Sequence, residues 1–168
     1  PIVAVTGIGI VTSLGQGKED NWRRLTAGES GIHRITRFPV EGMRTTIAGT
    51  VDFLFDGRVP APDLSQKLAT LAAEEAIGKA GIGTKGRFPG PLFAAVPPVE
   101  LEWPEKRQLA DVVNHKPIVY HDLLTAASTG KFRPWHERFL FGSVADRLAD
   151  HFGTQGQPIS LSTACASG

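Results

Sequence analysis

Cysteine is nearly absent from this sequence: Cys165 stands alone. A single thiol cannot close an internal disulfide, which excludes a disulfide-stapled secreted scaffold and fits a reducing, cytoplasmic compartment. No apolar run approaches the ~18 residues of a membrane-spanning helix, and residues 1–5 lack the basic, apolar, then small order of a signal peptide. Dense runs of one charge are missing too. Lys and Arg number 18 against 17 Asp and Glu, a net charge of +1, so nothing in the chain reads as a nucleic-acid-binding surface. Fixed-period repeats, low-complexity tracts and a linker that would divide the chain are also lacking. What remains is ordinary globular material: 168 residues, 41% hydrophobic and 21% charged, enough for one domain with a hydrophobic core.

Short β runs alternate with amphipathic helices. Residues 2–6 (IVAVT) are apolar and β-branched and stop at Gly7-Ile8-Gly9, which predicts an interior strand followed by a tight turn. Residues 18–27 predict a helix, with Trp22 and Leu25 on one face and Gly28 as its stop. Residues 44–51 alternate as a more exposed strand. The clearest helix opens at Asp63 as a cap with Gln66 three residues on. It presents Leu64, Leu68, Leu71 and Ala72 on one face and an alanine-rich face suited to close packing, and it ends at Gly81. Residues 91–96 and 158–162 predict further strands, and residues 136–152 a helix through Leu140, Val144 and Leu148. Between 100 and 134 the periodicity is weak and prolines are frequent, so no element is assigned there. The expected class is α/β, one unit over residues 1–168 with a mostly parallel, covered sheet.

Several motifs fail on inspection. Gly7-Ile8-Gly9 lacks the third glycine of a dinucleotide-binding turn, since position 12 is Thr12. Gly17-Lys18 and Gly130-Lys131 lack the remainder of a phosphate-binding loop. The histidines His33, His115, His121, His136 and His151 show no ligand spacing, so neither a metal nor a cofactor is expected.

Cys165 has two open readings, a small buried hydrophobe or a reactive thiol. Its surroundings favour the second. A β run enters Thr163-Ala164-Cys165-Ala166-Ser167-Gly168, where small neighbours give an acyl group room. In a layered α/β protein a helix comes next, and its N-terminal amides and dipole stabilise a thiolate and supply an oxyanion hole.

These residues resemble the β-ketoacyl-[acyl carrier protein] synthases of the elongating type. Ser162-Thr163-Ala164-Cys165-Ala166-Ser167-Gly168 is similar to their active-site stretch, and Val3-Ala4-Val5-Thr6-Gly7-Ile8-Gly9-Ile10-Val11-Thr12-Ser13-Leu14-Gly15 to their opening strand and loop. Trp22, Leu25, Ala27-Gly28, Ser30-Gly31-Ile32, Thr36-Arg37-Phe38, Ile47-Ala48-Gly49 and Ala72-Ala73-Glu74-Glu75-Ala76 follow in the family's order. The resemblance implies the N-terminal half of a thiolase-like layered fold and a homodimer. It implies Cys165 as the catalytic nucleophile of a decarboxylative Claisen condensation that uses acyl and malonyl groups on acyl carrier protein. It also implies that the catalytic histidines and lysine lie in a C-terminal half, so that this chain alone is inactive. A polyketide-type ketosynthase and a non-catalytic pairing subunit are the alternatives, the latter disfavoured by the presence of Cys165. Two departures stand out. The segment before the alanine-rich helix carries only Arg58 where the family has a basic carrier-docking stretch, and Ala95-Val96-Pro97-Pro98-Val99-Glu100 replaces its glycine-rich stretch. Both leave chain length and carrier recognition open.

Overall fold

The computed structural model describes residues 2–57, 59–84, 86–96, 101–113 and 115–163. Its elements run β1 (Val11–Thr12), β2 (Gly15–Gln16), α1 (Lys18–Thr26), β3 (Ile32–Arg34), β4 (Ile47–Gly49), a 3-10 turn (Asp52–Leu54), α2 (Ala61–Ala80), β5 (Phe93–Ala95), α3 (Trp103–Ala110), α4 (Tyr120–Ser128), α5 (Arg133–Phe139), α6 (Ser143–Phe152) and β6 (Ile159–Leu161). β1 pairs with β2 and β3 with β4 as antiparallel ladders, whereas β5 and β6 are parallel.

The core forms where α2 and α6 cover that parallel pair. Val144, Ala145, Leu148 and Phe152 recur at helical spacing along α6 and bury one stripe against Ala94 and Val96. Ala69, Ala73 and Ile77 of α2 pack onto the same cluster. Full burial of a Val, Leu or Phe side chain stabilises by about 1.5–3 kcal/mol, so this stripe is what holds the strands in place. The alanine face of α2 does what its composition suggests, and more. Residues 2–10 lie so close to it that a Cβ on Gly7 would sit 2.0 Å from the Ala76 carbonyl oxygen, and one on Gly9 1.8 Å from that of Ala72.

Four expectations need correction. Residues 2–6 form no strand, because no neighbouring strand meets them among the described residues. Ile2, Val3 and Val5 stand 101%, 90% and 79% exposed. Gly7 and Gly9 serve close approach to a helix rather than a turn, and neither has a positive φ. α2 begins at Ala61 with Pro60 as its cap, so Asp63 lies inside the first turn, where its carboxylate pairs with Arg138 and Arg147. Finally, the helix expected over 136–152 breaks in two. Leu140 turns extended (ψ 140°) and is 62% exposed, while the Ser143 hydroxyl donates to the Arg138 carbonyl at 2.7 Å and starts α6 afresh.

The unassigned middle contains α3 and α4. Prolines there mark helix starts: Pro104 and Pro134 sit in the first turns of α3 and α5, as Pro62 does in α2. A first-turn residue needs no N–H acceptor, and the fixed φ of proline suits it.

Candidate active site

β6 delivers the chain to the segment that contains Cys165. Its register on β5 sets Phe93 beside Ile159, Ala94 beside Ser160 and Ala95 beside Leu161, and the Ile159 N–H donates to the Leu92 carbonyl at 3.0 Å. Because the strands are parallel, Val96 and Ser162 leave the sheet at the same edge, the carboxyl edge at which open α/β proteins assemble their sites. Cys165 and its neighbours from Ala164 onward lie outside the described residues.

The approach to β6 is fixed by backbone contacts. Gly153 ends α6 with φ 60°, and a Cβ there would fall 1.9 Å from the Gly86 carbonyl oxygen, so only glycine satisfies both demands. The Phe88 N–H donates to the Phe152 carbonyl at 2.8 Å and that of Gln155 to the Gly90 carbonyl at 2.9 Å. The turn before β6 is thereby tied to the segment that enters β5.

Polar staples hold the surrounding loops, and sequence patterns gave little sign of them. The Glu75 carboxylate on α2 accepts the Ile10 N–H at 3.0 Å and the Lys18 N–H at 2.9 Å. The backbone N–H of Lys18, then that of Ile10, hold its carboxyl below the usual glutamate range. Asn21 is buried; its amide donates to the carbonyls of Gly15 and Gly17 at 2.9 and 2.8 Å, and its oxygen accepts the Thr12 hydroxyl. Arg37 of the Thr36-Arg37-Phe38 motif donates to Glu102 at 2.9 Å and to the Val59 carbonyl at 2.6 Å, while Glu102 accepts the Ala61 N–H at 3.2 Å. That arginine thus joins the hairpin of β3 and β4 to the starts of α2 and α3. Asp52, held below the ordinary aspartate range chiefly by the Thr36 hydroxyl, also accepts from Thr50.

The five histidines are dispersed. His33 lies in β3 beside Thr50 and Asp52, His115 3.3 Å from Asp122, and His151 3.3 Å from Glu74, with His121 in α4 and His136 in α5. Among the described residues no cluster of three or more His, Cys, Asp or Glu could hold a metal ion, and no helix is long and apolar enough to cross a membrane.

A parallel strand pair lies under two helices, and the described chain leaves it at its carboxyl edge through Ser162 and Thr163. The chain belongs to the β-ketoacyl synthase family: residues 2–168 match its N-terminal domain, "Beta-ketoacyl synthase, N-terminal domain". It is 30% identical to a Streptomyces cyaneus protein named "Putative polyketide beta-ketoacyl synthase 1", over 99% of this chain and 40% of the relative. The chain therefore spans about 40% of the length of that relative. Among solved structures, the ishigamide ketosynthase/chain length factor shares the fold with a TM-score of 0.61 at 23% identity, over 98% of this chain and 40% of that one. A type II PKS acyl-carrier protein in complex with its ketosynthase bound to the hexaketide gives 0.60 at 22% identity, over 98% and 38%.

Proposed function

We propose that this chain supplies the nucleophile-bearing half of a condensing enzyme that lengthens carrier-bound acyl chains. The observation that carries this reading is the position of Cys165, four residues beyond a strand seated in a covered parallel pair. The Cys165 thiolate attacks the thioester carbonyl of an acyl-carrier protein, the carrier thiol leaves, and the acyl group rests on sulfur. A malonyl-carrier protein then loses carbon dioxide, and the carbanion attacks the acyl-cysteine carbonyl. The Cys165 thiolate is released and a carrier-bound 3-oxoacyl product, two carbons longer, departs. Division into two easier steps is the gain of covalent catalysis. The histidines and lysine that assist decarboxylation are placed in a C-terminal half, and the working unit is a dimer in the cytoplasm.

The polyketide relative and the type II PKS ketosynthase structure support a polyketide-type ketosynthase at least as well as fatty-acid elongation. A pairing subunit is the second reading, favoured by the likeness to a ketosynthase/chain length factor and opposed by the presence of Cys165. Acyl-carrier and malonyl-carrier substrates given to the complete protein separate them. A condensing enzyme forms 3-oxoacyl product and loses it on Cys165→Ala; a pairing subunit forms none, with or without the substitution.

A further inference from the structure

We infer that Gly153 is a positioning residue for the acyl-transfer step: its α-carbon, seated against the Gly86 carbonyl, fixes how far β6 advances along β5 and therefore where Cys165 is delivered. The inference rests on the reading of Cys165, four residues past the end of β6, as the acyl-bearing nucleophile. Three backbone bonds join the two segments that lead into the parallel pair. The Phe88 N–H donates to the Phe152 carbonyl at 2.8 Å, that of Gln155 to the Gly90 carbonyl at 2.9 Å, and that of Ile159 to the Leu92 carbonyl at 3.0 Å. Between the first bond and the last, one segment advances four residues (88 to 92) and the other seven (152 to 159), so the second carries slack. Burial does little to take it up. Ile159 and Leu161 are each 44% exposed and only Ser160 of β6 is half-buried, and a strand without a buried apolar face specifies its register weakly.

Gly153 gives the strand its origin. It follows directly on α6, whose Val144, Leu148 and Phe152 are buried in the core, so it belongs to a fixed body. A Cβ at this position would lie 1.9 Å from the Gly86 carbonyl oxygen and 3.1 Å from the Arg87 nitrogen, backbone atoms that cannot swing aside. Any side chain there must push the turn away from residues 86–87 and draw on the slack ahead of β6. Gly156, further along the same turn, has φ 74° but nothing within 4 Å of a built Cβ. It shares the left-handed backbone of Gly153 and lacks the contact. The consequence for chemistry is one of distance. A slip of one residue moves a strand by about 3.3 Å and turns every side chain to the opposite face. A misplacement of about 1 Å at a reacting atom already costs on the order of a hundredfold in rate.

The test uses the complete protein and follows single-turnover acylation of Cys165 by mass spectrometry over a range of acyl-carrier protein concentrations. Asparagine tolerates left-handed backbone, so Gly153→Asn introduces the collision with little added strain, and Gly156→Asn is the matched control. Gly153→Asn should lower the maximal acylation rate by at least about thirtyfold, with the half-saturating carrier concentration unchanged within about twofold. Gly156→Asn should stay within about threefold of wild type in both quantities. In the wild-type protein the amides of Phe88, Gln155 and Ile159 should exchange with solvent as slowly as those of β5. Fast exchange at those amides overturns the proposal without any variant. A Gly153→Asn protein that acylates at the wild-type rate overturns it, as does one that loses carrier affinity in place of rate. Equal losses in the two variants make the effect a general loosening of the turn, and a Gly153→Asn protein that fails to fold makes the contact one of folding alone; either ends the positioning assignment. Absence of any adduct on wild-type Cys165 refutes the nucleophile reading itself and the role of Gly153 with it, whereas wild-type acylation that Gly153→Asn leaves untouched refutes the role of Gly153 alone.

Discussion

At Glu75 one carboxylate closes two backbone donors from separate segments, and its pH dependence follows from that geometry. The lowered pKa means the folded state holds the proton less tightly than the unfolded chain. The stabilisation is therefore present above the ordinary glutamate value of about 4.3 and is lost as pH falls through the lower, folded value. Glu75→Gln keeps one acceptor but turns its NH2 towards the second donor. It should lower stability near pH 7 by about 1 kcal/mol, the cost expected of a lost charge-assisted hydrogen bond at a partly exposed site. The difference from wild type should shrink below pH 4 in chemical denaturation. An unchanged difference at low pH would show that Glu75 does not hold the loop as an anion.

At the scale of elements, α2 is the spine, and its glycine neighbours make opposed predictions. Gly9→Ala would drive a methyl group into the Ala72 carbonyl, so the 2–10 segment must lift; a loss of about 2–4 kcal/mol is expected. Gly78, inside α2, has nothing within 4 Å of a built Cβ, so Gly78→Ala should stabilise by about 0.5–1 kcal/mol through helix propensity. Thermal melts of the two variants check both signs. Asp63→Asn, which releases Arg138 and Arg147, should cost no more than about 1 kcal/mol, because all three side chains are 30–40% exposed. Helix existence was readable where an apolar stripe and a stop agreed, as in α1 and α2. Boundaries failed where a tertiary partner decides them: Asp63 reads locally as a cap, yet two arginines distant in sequence claim it. Leu140 continues the i, i+4 spacing of Val144 and Leu148, but a side chain left in solvent gives that spacing no energy. Prolines 104 and 134 obscured the helices they begin. Of the candidate site, the strand that precedes Cys165 was legible because a short apolar run after a glycine-marked helix stop is a local pattern. The staples at Glu75, Asn21 and Glu102 were not, because each depends on contacts that only the fold creates.

At the scale of the molecule, Ile2, Val3 and Val5 of the N-terminal segment, together with Trp22 and Leu25, stand open to solvent, and the proposed reading of the chain as half of a condensing enzyme assigns their cover to another polypeptide segment. Expressed alone, this polypeptide should associate in sedimentation analysis and show no condensing activity, and supplying the remainder of the protein should suppress both defects. A well-behaved monomer would contradict the half-fold description. The central claim, that Cys165 carries the acyl chain, is tested most directly by intact-mass and peptide mass spectrometry of the complete protein after incubation with an acyl-carrier protein. The expected result is a single acyl adduct on the Cys165 peptide, sensitive to hydroxylamine and absent from Cys165→Ala. An adduct on another residue, or none while product still forms, would contradict the account.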